Sequence, residues 1–282
     1  MGGRETKAGE WSEGMIEIRS CRGFDELEAC VQLQIETWGY DESDVIPRKT
    51  FLVAQTIGGQ VMGAFDTEIA AKQGKSPAYP LVGFVFSLPG VKTGKGGPRP
   101  YLHSHMLAVK EAYRNRGLGK QLKLAQRDEA LARGIRYMEW TFDPLEIKNA
   151  FLNIHRLGAT AGSYRVDFYG VSSSRLQAGL PTDRLVAEWR LDSQRVRDVL
   201  EGRPVSSQVI GQVIEERIQV PGQIYEWKAS ETGRDRSLAV QLENRRKFQQ
   251  AFSRGLAVVG FSLDAEGNGV FELGSPAQME LN

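Results

Sequence analysis

The chain has 282 residues and a nearly balanced charge, with 36 Lys and Arg against 35 Asp and Glu. Hydrophobic residues make up 41% of it and charged residues 25%, which is ordinary for a globular protein and excludes a chain that is disordered throughout. The balanced charge argues against a nucleic-acid surface covering the whole protein, and no stretch approaches the roughly 20 apolar residues of a membrane span.

The N-terminal end and the cysteine content indicate a cytoplasmic protein. Residues 1–14 are polar and of mixed charge, without the apolar run of a signal peptide, and predict a disordered tail. Cys21 and Cys30 lack metal-ligand spacing, so we expect two reduced thiols.

The first hundred residues alternate between strand and helix patterns. Apolar and polar residues alternate from Met15 to Cys21 as in a strand, and apolar residues recur at helical spacing from Phe24 to Trp38. From Pro89 to Pro100 the chain is rich in Gly, Pro and Lys, which predicts a mobile surface loop. The remaining predicted elements here are a short helix from Pro47 to about Gln55 and strands at 60–65 and 81–86.

A strand–turn–helix unit occupies the centre of the chain. A strand from Tyr101 to Val109 precedes a charged turn, and a helix follows from Leu118 to Arg133. The elements after it are a strand at 135–142, a helix from Asp143-Pro144 to near Gly158 with Asp143 as its N-cap, and strands at 164–170 and 185–191. This order predicts a mixed α/β sheet with helices on both faces.

Beyond about Asp192 the pattern begins again. A long polar helix is expected from about Asp235 to Arg254, followed by a hairpin of strands 256–263 and 270–273. A helix at 194–200 and a strand at 215–220 precede them. We therefore divide the chain into a tail at 1–14, a domain at 15–192 and a smaller C-terminal α/β lobe at 193–282.

The turn between the central strand and its helix is suited to holding a phosphate group. Gly117 and Gly119 let backbone amides approach a ligand, and the helix behind them directs its free N–H groups and positive dipole end into the turn. The cationic side chains around the same turn are Arg114, Arg116 and Lys120.

Three phosphate-binding patterns and one purely structural role compete for this turn. A P-loop fails, because Arg114 and Gln121 stand where it needs Gly and Ser or Thr. A dinucleotide fold lacks its third glycine at Leu122, although Glu139 could imitate the ribose-binding acid. The glycines could also serve only the turn.

The segment resembles the GNAT acyltransferase superfamily, whose acyl-CoA loop has the pattern Gln/Arg-x-x-Gly-x-Gly/Ala. Arg114, Gly117 and Gly119 match its three fixed positions, and Asn149-Ala150-Phe151 with Leu157-Gly158-Ala159 resemble the second cofactor helix and its end. The resemblance implies a mixed, mostly antiparallel sheet flanked by helices, in a branch of the family with a C-terminal extension.

The resemblance also implies which residues contact acetyl-CoA or another acyl-CoA. Backbone amides of Arg116 through Lys120 would hold the pyrophosphate, and the backbone near Leu107 and Val109 would pair with the pantetheine arm. The full set of implied cofactor-binding residues is Leu107, Ala108, Val109, Arg114, Asn115, Arg116, Gly117, Leu118, Gly119, Lys120, Asn149 and Phe151.

Two histidines and a tyrosine are the candidates for catalysis. His103 and His105 alternate on one strand just before the loop, where members of the family often carry a general base. Many members carry a Tyr as leaving-group acid at the position of Ile154, so Tyr164 on the next strand is the candidate substitute. His-x-His with His155 suggests a metal site, but Val109 and Lys110 stand where the usual carboxylate would follow, so none is expected.

These observations predict an acyl-CoA-dependent N-acyltransferase, with acetyl-CoA as donor and direct transfer in a ternary complex. The expected acceptor is the amine of a small molecule, because the C-terminal lobe could roof the acceptor side. No nucleic-acid or membrane partner is expected, and the sequence does not indicate an oligomeric state. The alternatives are a non-catalytic acyl-CoA-binding or regulatory protein, favoured by the missing Tyr, and an NAD(P)-binding oxidoreductase.

Overall fold

A computed structural model describes residues 16–68, 80–94, 96–203 and 214–275. The predicted tail at 1–14, Met15 and Lys95 lie outside the described residues. The strands are β1 Ile16–Ser20, β2 Gln60–Asp66, β3 Leu81–Gly94, β4 Gly97–Val109, β5 Tyr137–Phe142, β6 Thr160–Arg165, β7 Arg184–Arg190, β8 Ile214–Val220, β9 Ala257–Leu263 and β10 Gly269–Gly274. The helices are α1 Gly23–Trp38, α2 Arg48–Thr56, α3 Leu118–Ala132, α4 Ile147–Ala150, α5 Gln194–Leu200, α6 Ile224–Ala229 and α7 Arg234–Ser253.

The strands form one sheet of ten strands in the order β1-β2-β3-β4-β5-β7-β6-β9-β10-β8. Neighbouring strands are antiparallel except for β4 and β5, which are parallel. The fold is therefore a mixed, mostly antiparallel sheet flanked by helices, as predicted. No helix within the described ranges is both long enough and apolar enough to cross a bilayer.

Helices α1 and α2 lie on the opposite face of the sheet from α3. On β2, Val61 packs with Leu27, Phe51 and other residues of α1 and α2. Its neighbour Met62 belongs to a separate cluster with Leu122 of α3. Because successive strand residues point to opposite faces, this alternation separates the two helical layers.

The C-terminal residues form α/β structure, as expected, and they extend the same sheet. β9 pairs with β6 at Ala161 and Val258, and β10 and β8 continue outward from there. Phe248 of α7 and Phe271 of β10 share one hydrophobic cluster with Trp140 and Trp189 of the central strands. The chain beyond residue 192 thus shares its core with the part before it.

The prediction of a mobile loop from Pro89 to Pro100 was wrong. Residues 89–94 and 97–100 form the outer half of a hairpin, in which β3 and β4 stay paired from Gly83 with Val109 out to Gly94 with Gly97. Proline is tolerated because this half of β4 lies beyond its pairing with β5, at a sheet edge where a missing N–H removes no ladder bond.

The predicted strand at 164–170 begins earlier, at Thr160, and ends at Arg165. Gly158 has a left-handed φ of 77° and ends the preceding helical segment, so the chain can begin the strand two residues later. Cys21 and Cys30 are buried free thiols with their Sγ atoms 3.8 Å apart.

Candidate active site

The candidate site is a cleft where β4 and β5 separate. The two strands pair only at Leu102 with Met138 and at His103 with Glu139. Beyond this apex β4 continues to Val109 with β3 on one edge and, among the described strands, no strand on the other. A cavity of about 350 Å³ fills the gap, lined by four consecutive residues of β4, 104–107, and by residues 140–142 of β5.

A β-bulge shapes this part of β4. Phe86 of β3 pairs with Met106 and Ser87 pairs with Ser104, which leaves His105 without a partner. An extra residue of this kind bends a strand and redirects its side chains. The bulge thereby turns His105 towards the cavity, where it is a lining residue.

The glycine loop at the mouth of the cleft has the geometry of an anion site. Gly117 is the N-cap of α3 with a φ of 81°, and Asn115 is also left-handed with a φ of 60°. The first bond of the helix runs from Gln121 N to Gly117 O, so the N–H groups of residues 118–120 have no acceptor within the helix. These donors, with the dipole of α3, fit a pyrophosphate.

The residues that the resemblance implied as cofactor contacts differ in exposure and in their distance from the cavity. Residues 114–117 are exposed, Arg114 donates from Nε to the Val109 carbonyl at 2.9 Å, and Leu118 is buried under the loop. Leu107 and Asn149 line the cavity. Ala108, Val109 and Phe151 are not lining residues, and the Phe151 ring stacks on His155, with centroids 4.4 Å apart.

The two histidines have different surroundings. Their rings are neighbours, with centroids 6.0 Å apart, but only His105 lines the cavity. Burial, with a smaller contribution from His103, lowers the pKa of His105 to about 4, so this imidazole is neutral at pH 7.

His103 adjoins a carboxylate instead of the cavity. Its Nδ1 lies 4.0 Å from Oε1 of Glu139, which also pairs with Lys92. Burial alone would raise the pKa of Glu139, but the nearby His103 ring and the paired Lys92 ammonium outweigh it and hold that pKa at about 2. Glu139, considered from the sequence as a ribose or amine ligand, is thus already paired.

Tyr164 is not brought together with these residues. Its hydroxyl donates to Oδ2 of Asp183 at 2.6 Å, and Arg245 pairs with the same carboxylate. Burial and the bond to Asp183 raise the pKa of Tyr164. Tyr164 is absent from the cavity lining, which argues against the proton-donor role expected of it.

Ile154, at the position where many members of the GNAT family carry a tyrosine, lies in the hydrophobic core. After α4 the chain continues as a π-helix, Phe151–Arg156, in which Leu157 N bonds to Leu152 O. Ile154 is 1% exposed within the main hydrophobic cluster. The neighbouring Asn153, 4% exposed, lines the cavity instead. A π-turn adds a residue per turn, so helical periodicity could not have identified Asn153.

Lys123 is a further cavity residue that the sequence reasoning missed. It is 3% exposed, its Nζ donates to Oγ of Ser104 at 2.7 Å, and Nζ lies 3.7 Å from the centroid of the Trp140 ring. Burial lowers its pKa well below the usual value of a lysine. Its position on α3 gave a usable signal, since Lys123, Gln126 and Ala130 follow helical spacing on one buried stripe.

The far end of the cavity is roofed by two connecting segments. Trp38 is the last residue of α1 and Tyr40 follows it, with their rings stacked at 5.4 Å, and Tyr169 belongs to the β6–β7 connection. Asp44 joins the segments by accepting hydrogen bonds from the Ser173 amide at 2.8 Å and its hydroxyl at 2.7 Å.

The conjecture that residues beyond 192 roof the acceptor side is therefore wrong, because residues 38–44 and 169–184 do so. A residue of the C-terminal part contacts the lining of the cavity, because Lys228 pairs with Asp143 and Glu146, two lining residues. Asp143 is not the predicted helix cap; it accepts a bond from Leu145 N in the turn before α4.

The geometry bears on two other sequence-based hypotheses. Among the described residues, no three His, Cys, Asp or Glu side chains are grouped to hold a metal ion. The mostly antiparallel sheet differs from the parallel sheet of a dinucleotide fold, which disfavours an NAD(P)-binding oxidoreductase.

Comparisons with known proteins found similar solved structures and a matching family model. Solved structures similar to this chain include yncA, a putative acetyltransferase from Salmonella typhimurium with acetyl-CoA (17% identity, 64% of this chain and 96% of that chain, TM-score 0.47). They also include Arabidopsis thaliana NAA60 with a bisubstrate analogue (16%, 62% and 98%, 0.48) and an N-acetyltransferase from Staphylococcus aureus (14%, 63% and 99%, 0.43). No curated protein matches the chain significantly in sequence. Residues 27–152, which include the loop, α3 and the two strands β4 and β5 that wall the cleft, match the model of the Acetyltransferase (GNAT) family.

Proposed function

We propose that the protein transfers the acyl group of an acyl-CoA, acetyl-CoA being the first donor to test, to the amine of a small molecule in a direct ternary complex. The observation that carries the proposal is the cavity between β4 and β5. It joins the free edge of β4, beside the N-terminus of α3, to an aromatic compartment under the roof. Donor and acceptor can therefore meet without a covalent enzyme intermediate.

The donor end is suited to CoA. The N–H groups of residues 118–120 receive the pyrophosphate, with Arg114, Arg116 and Lys120 supplying positive charge around it. The unpaired edge of β4 beyond His103 offers backbone groups to the amides of the pantetheine arm, as an added strand would. Leu107 and Asn149 contact the arm from the two walls of the cleft.

His105 is the proposed general base. It is the histidine that lines the cavity, and its neutral imidazole accepts the proton that the attacking ammonium must lose. A backbone N–H near Leu107 or Ala108 stabilises the oxyanion, since β4 has a free edge there. The Asn153 amide donates a hydrogen bond towards the leaving sulfur, and water supplies its proton.

The roof supports a small acceptor. Asp44 ties the segment after α1 to the β6–β7 connection, so the acceptor compartment is bridged, whereas a peptide tail needs an open groove. Stacked Trp38 and Tyr40, with Tyr169 opposite, favour an amine carried on an apolar or aromatic body.

The test is calorimetric titration of the protein with acetyl-CoA, beside Gly117→Glu and Gly134→Glu. Both glycines have a positive φ, 81° and 78°, and a Cβ at either would meet nothing within 4 Å. The two substitutions therefore carry the same backbone strain, but only Gly117→Glu puts a carboxylate where the pyrophosphate binds. We expect binding by the parent and Gly134→Glu and none by Gly117→Glu. Equal binding by all three, or none by the parent, would contradict the proposal.

A second candidate function is acyl-CoA binding without turnover. It is favoured by Ile154, whose side chain occupies the core where many relatives place an acid. The two functions differ in thiol release: an enzyme frees CoA from acetyl-CoA when a panel of aromatic and aliphatic amines is added, and a binding protein does not. NAD(P)H titration in the same calorimeter tests the oxidoreductase alternative.

A further inference from the structure

The apex of the cleft holds a buried lysine that lacks a counter-charge. Lys123 is 3% exposed and contacts Oγ of Ser104 and the ring of Trp140. In the part of the chain that the structure describes, no carboxylate lies within ion-pairing distance of its Nζ. A hydroxyl and an aromatic ring stabilise an ammonium only in part, so the site favours a negatively charged ligand.

Other charged residues of the cavity do not fill this role. Asp143 and Glu146 also line it, but both carboxylates pair with Lys228, at 3.3 and 2.7 Å. Asp44 is engaged by Ser172 and Ser173 in the roof. His105 is neutral, and Arg184 is itself cationic.

The hydrogen-bond count at the apex also favours an acceptor-rich ligand. Lys123 Nζ can donate three hydrogen bonds, and one goes to Ser104. Ser104 in turn donates to Oε1 of Gln126, whose buried Nε2 has no acceptor among the described residues. Donors therefore outnumber acceptors around this end of the cavity, and a carboxylate would correct the imbalance.

The position of Lys123 along the cleft identifies what would carry that carboxylate. The pyrophosphate loop ends at Lys120, and Lys123 lies one turn further along α3. On β4 the mouth of the cleft is at Val109 and the apex at Ser104, about five residues or ~16 Å of extended chain away. An arm that enters at the loop and follows β4 directs its acyl end at Ser104, Lys123 and Trp140.

We propose that Lys123, with Ser104, recognises an acyl group that ends in a carboxylate, so that the preferred donor is the CoA thioester of a dicarboxylic acid. The inference rests on the proposed function, because it assumes that the cleft binds acyl-CoA. Trp140 forms the wall under the aliphatic part of the chain, and the carboxylate takes the place of the counter-ion that the protein does not supply.

The experiment compares succinyl-CoA with butyryl-CoA by calorimetry on the full chain. The two acyl groups have the same four-carbon length and differ in the terminal carboxylate. We expect the parent to bind succinyl-CoA at least about tenfold more tightly, the effect of one charge-assisted hydrogen bond. Equal affinities overturn the inference but leave the proposed function standing, whereas no binding of either thioester overturns both.

Two lysine variants distinguish recognition of the acyl carboxylate by Lys123 from a general attraction of the anionic CoA to lysine. Lys123→Met keeps the length of the side chain and removes its charge, and we expect it to abolish the preference while butyryl-CoA binding persists. Lys120→Met, at the pyrophosphate loop, should weaken both thioesters equally. A preference that survives Lys123→Met would overturn the inference. If Lys123→Met does not fold, the comparison of succinyl-CoA with butyryl-CoA on the parent still tests the inference.

Discussion

Arg245 and Arg246 are adjacent in α7, but only one of them should matter for stability. Arg245 donates to both oxygens of Asp183, at 2.8 and 2.9 Å, and the Asp183 side chain is fully buried. Arg246 pairs with Glu243 on the exposed face of the same helix. Arg245→Met retains the aliphatic stem and removes the charge, which leaves the Asp183 carboxylate buried without its cation.

Removing one partner of a buried ion pair typically costs 3–5 kcal/mol of the free energy of unfolding. Asp183 would keep hydrogen bonds from the Tyr164 hydroxyl and the Asp167 amide, so we expect the lower end, about 3 kcal/mol. Urea denaturation measures it as a lower midpoint with an unchanged slope. The matched Arg246→Met variant should unfold like the parent, because exposed pairs contribute little. A loss for Arg245→Met no larger than that for Arg246→Met would refute the reasoning.

Two further predictions concern His105 and Asp44. Burial lowers the pKa of His105 to about 4 in the folded protein, whereas in the unfolded chain it is about 6.5. As the pH falls from about 6.5, the imidazole is therefore protonated in the unfolded chain before it is protonated in the folded protein. This difference lowers the free energy of unfolding by up to about 3 kcal/mol at pH 4. His105→Gln should lack this part of the loss when unfolding free energies at pH 7 and pH 4.5 are compared, and an identical pH dependence in both proteins would contradict it. Asp44→Ala removes the acceptor of the Ser173 amide and should speed its hydrogen exchange about tenfold, whereas Asp44→Asn keeps an acceptor and most of the protection. Unchanged exchange in the alanine variant would show that the roof does not depend on this carboxylate.

Local patterns were sufficient to predict most elements of this chain. Helix α7 was expected at 235–254 and lies at Arg234–Ser253, and the last hairpin was expected within two residues of its strands. The left-handed turn before α3 was also predictable, because Gly117 acts through backbone conformation and through the helix that follows it, both local properties. The family resemblance rested on this same turn.

Site residues set by long-range contacts were predicted less well. Tyr164 was a plausible proton donor from its place in the sequence, but its hydroxyl donates to Asp183, a carboxylate that also pairs with Arg245 from far along the chain. Asn153 faces the cavity because a π-turn displaces Ile154 into the core. The composition of residues 89–100 suggested a loop, but residues 89–94 pair with residues 97–102 as the outer half of a hairpin.

The sequence by itself determined most strands, most helices and the glycine turn before α3, because hydrophobic periodicity and glycine conformation depend on residues close together in the chain. Only the tertiary structure decided that the C-terminal strands extend the same sheet, and that β4 and β5 part just after His103. It also decided that Lys123 is enclosed at this apex with no carboxylate of the described residues in ion-pairing distance. Burial and charge pairing arise from residues distant in sequence, so no local pattern could assign them.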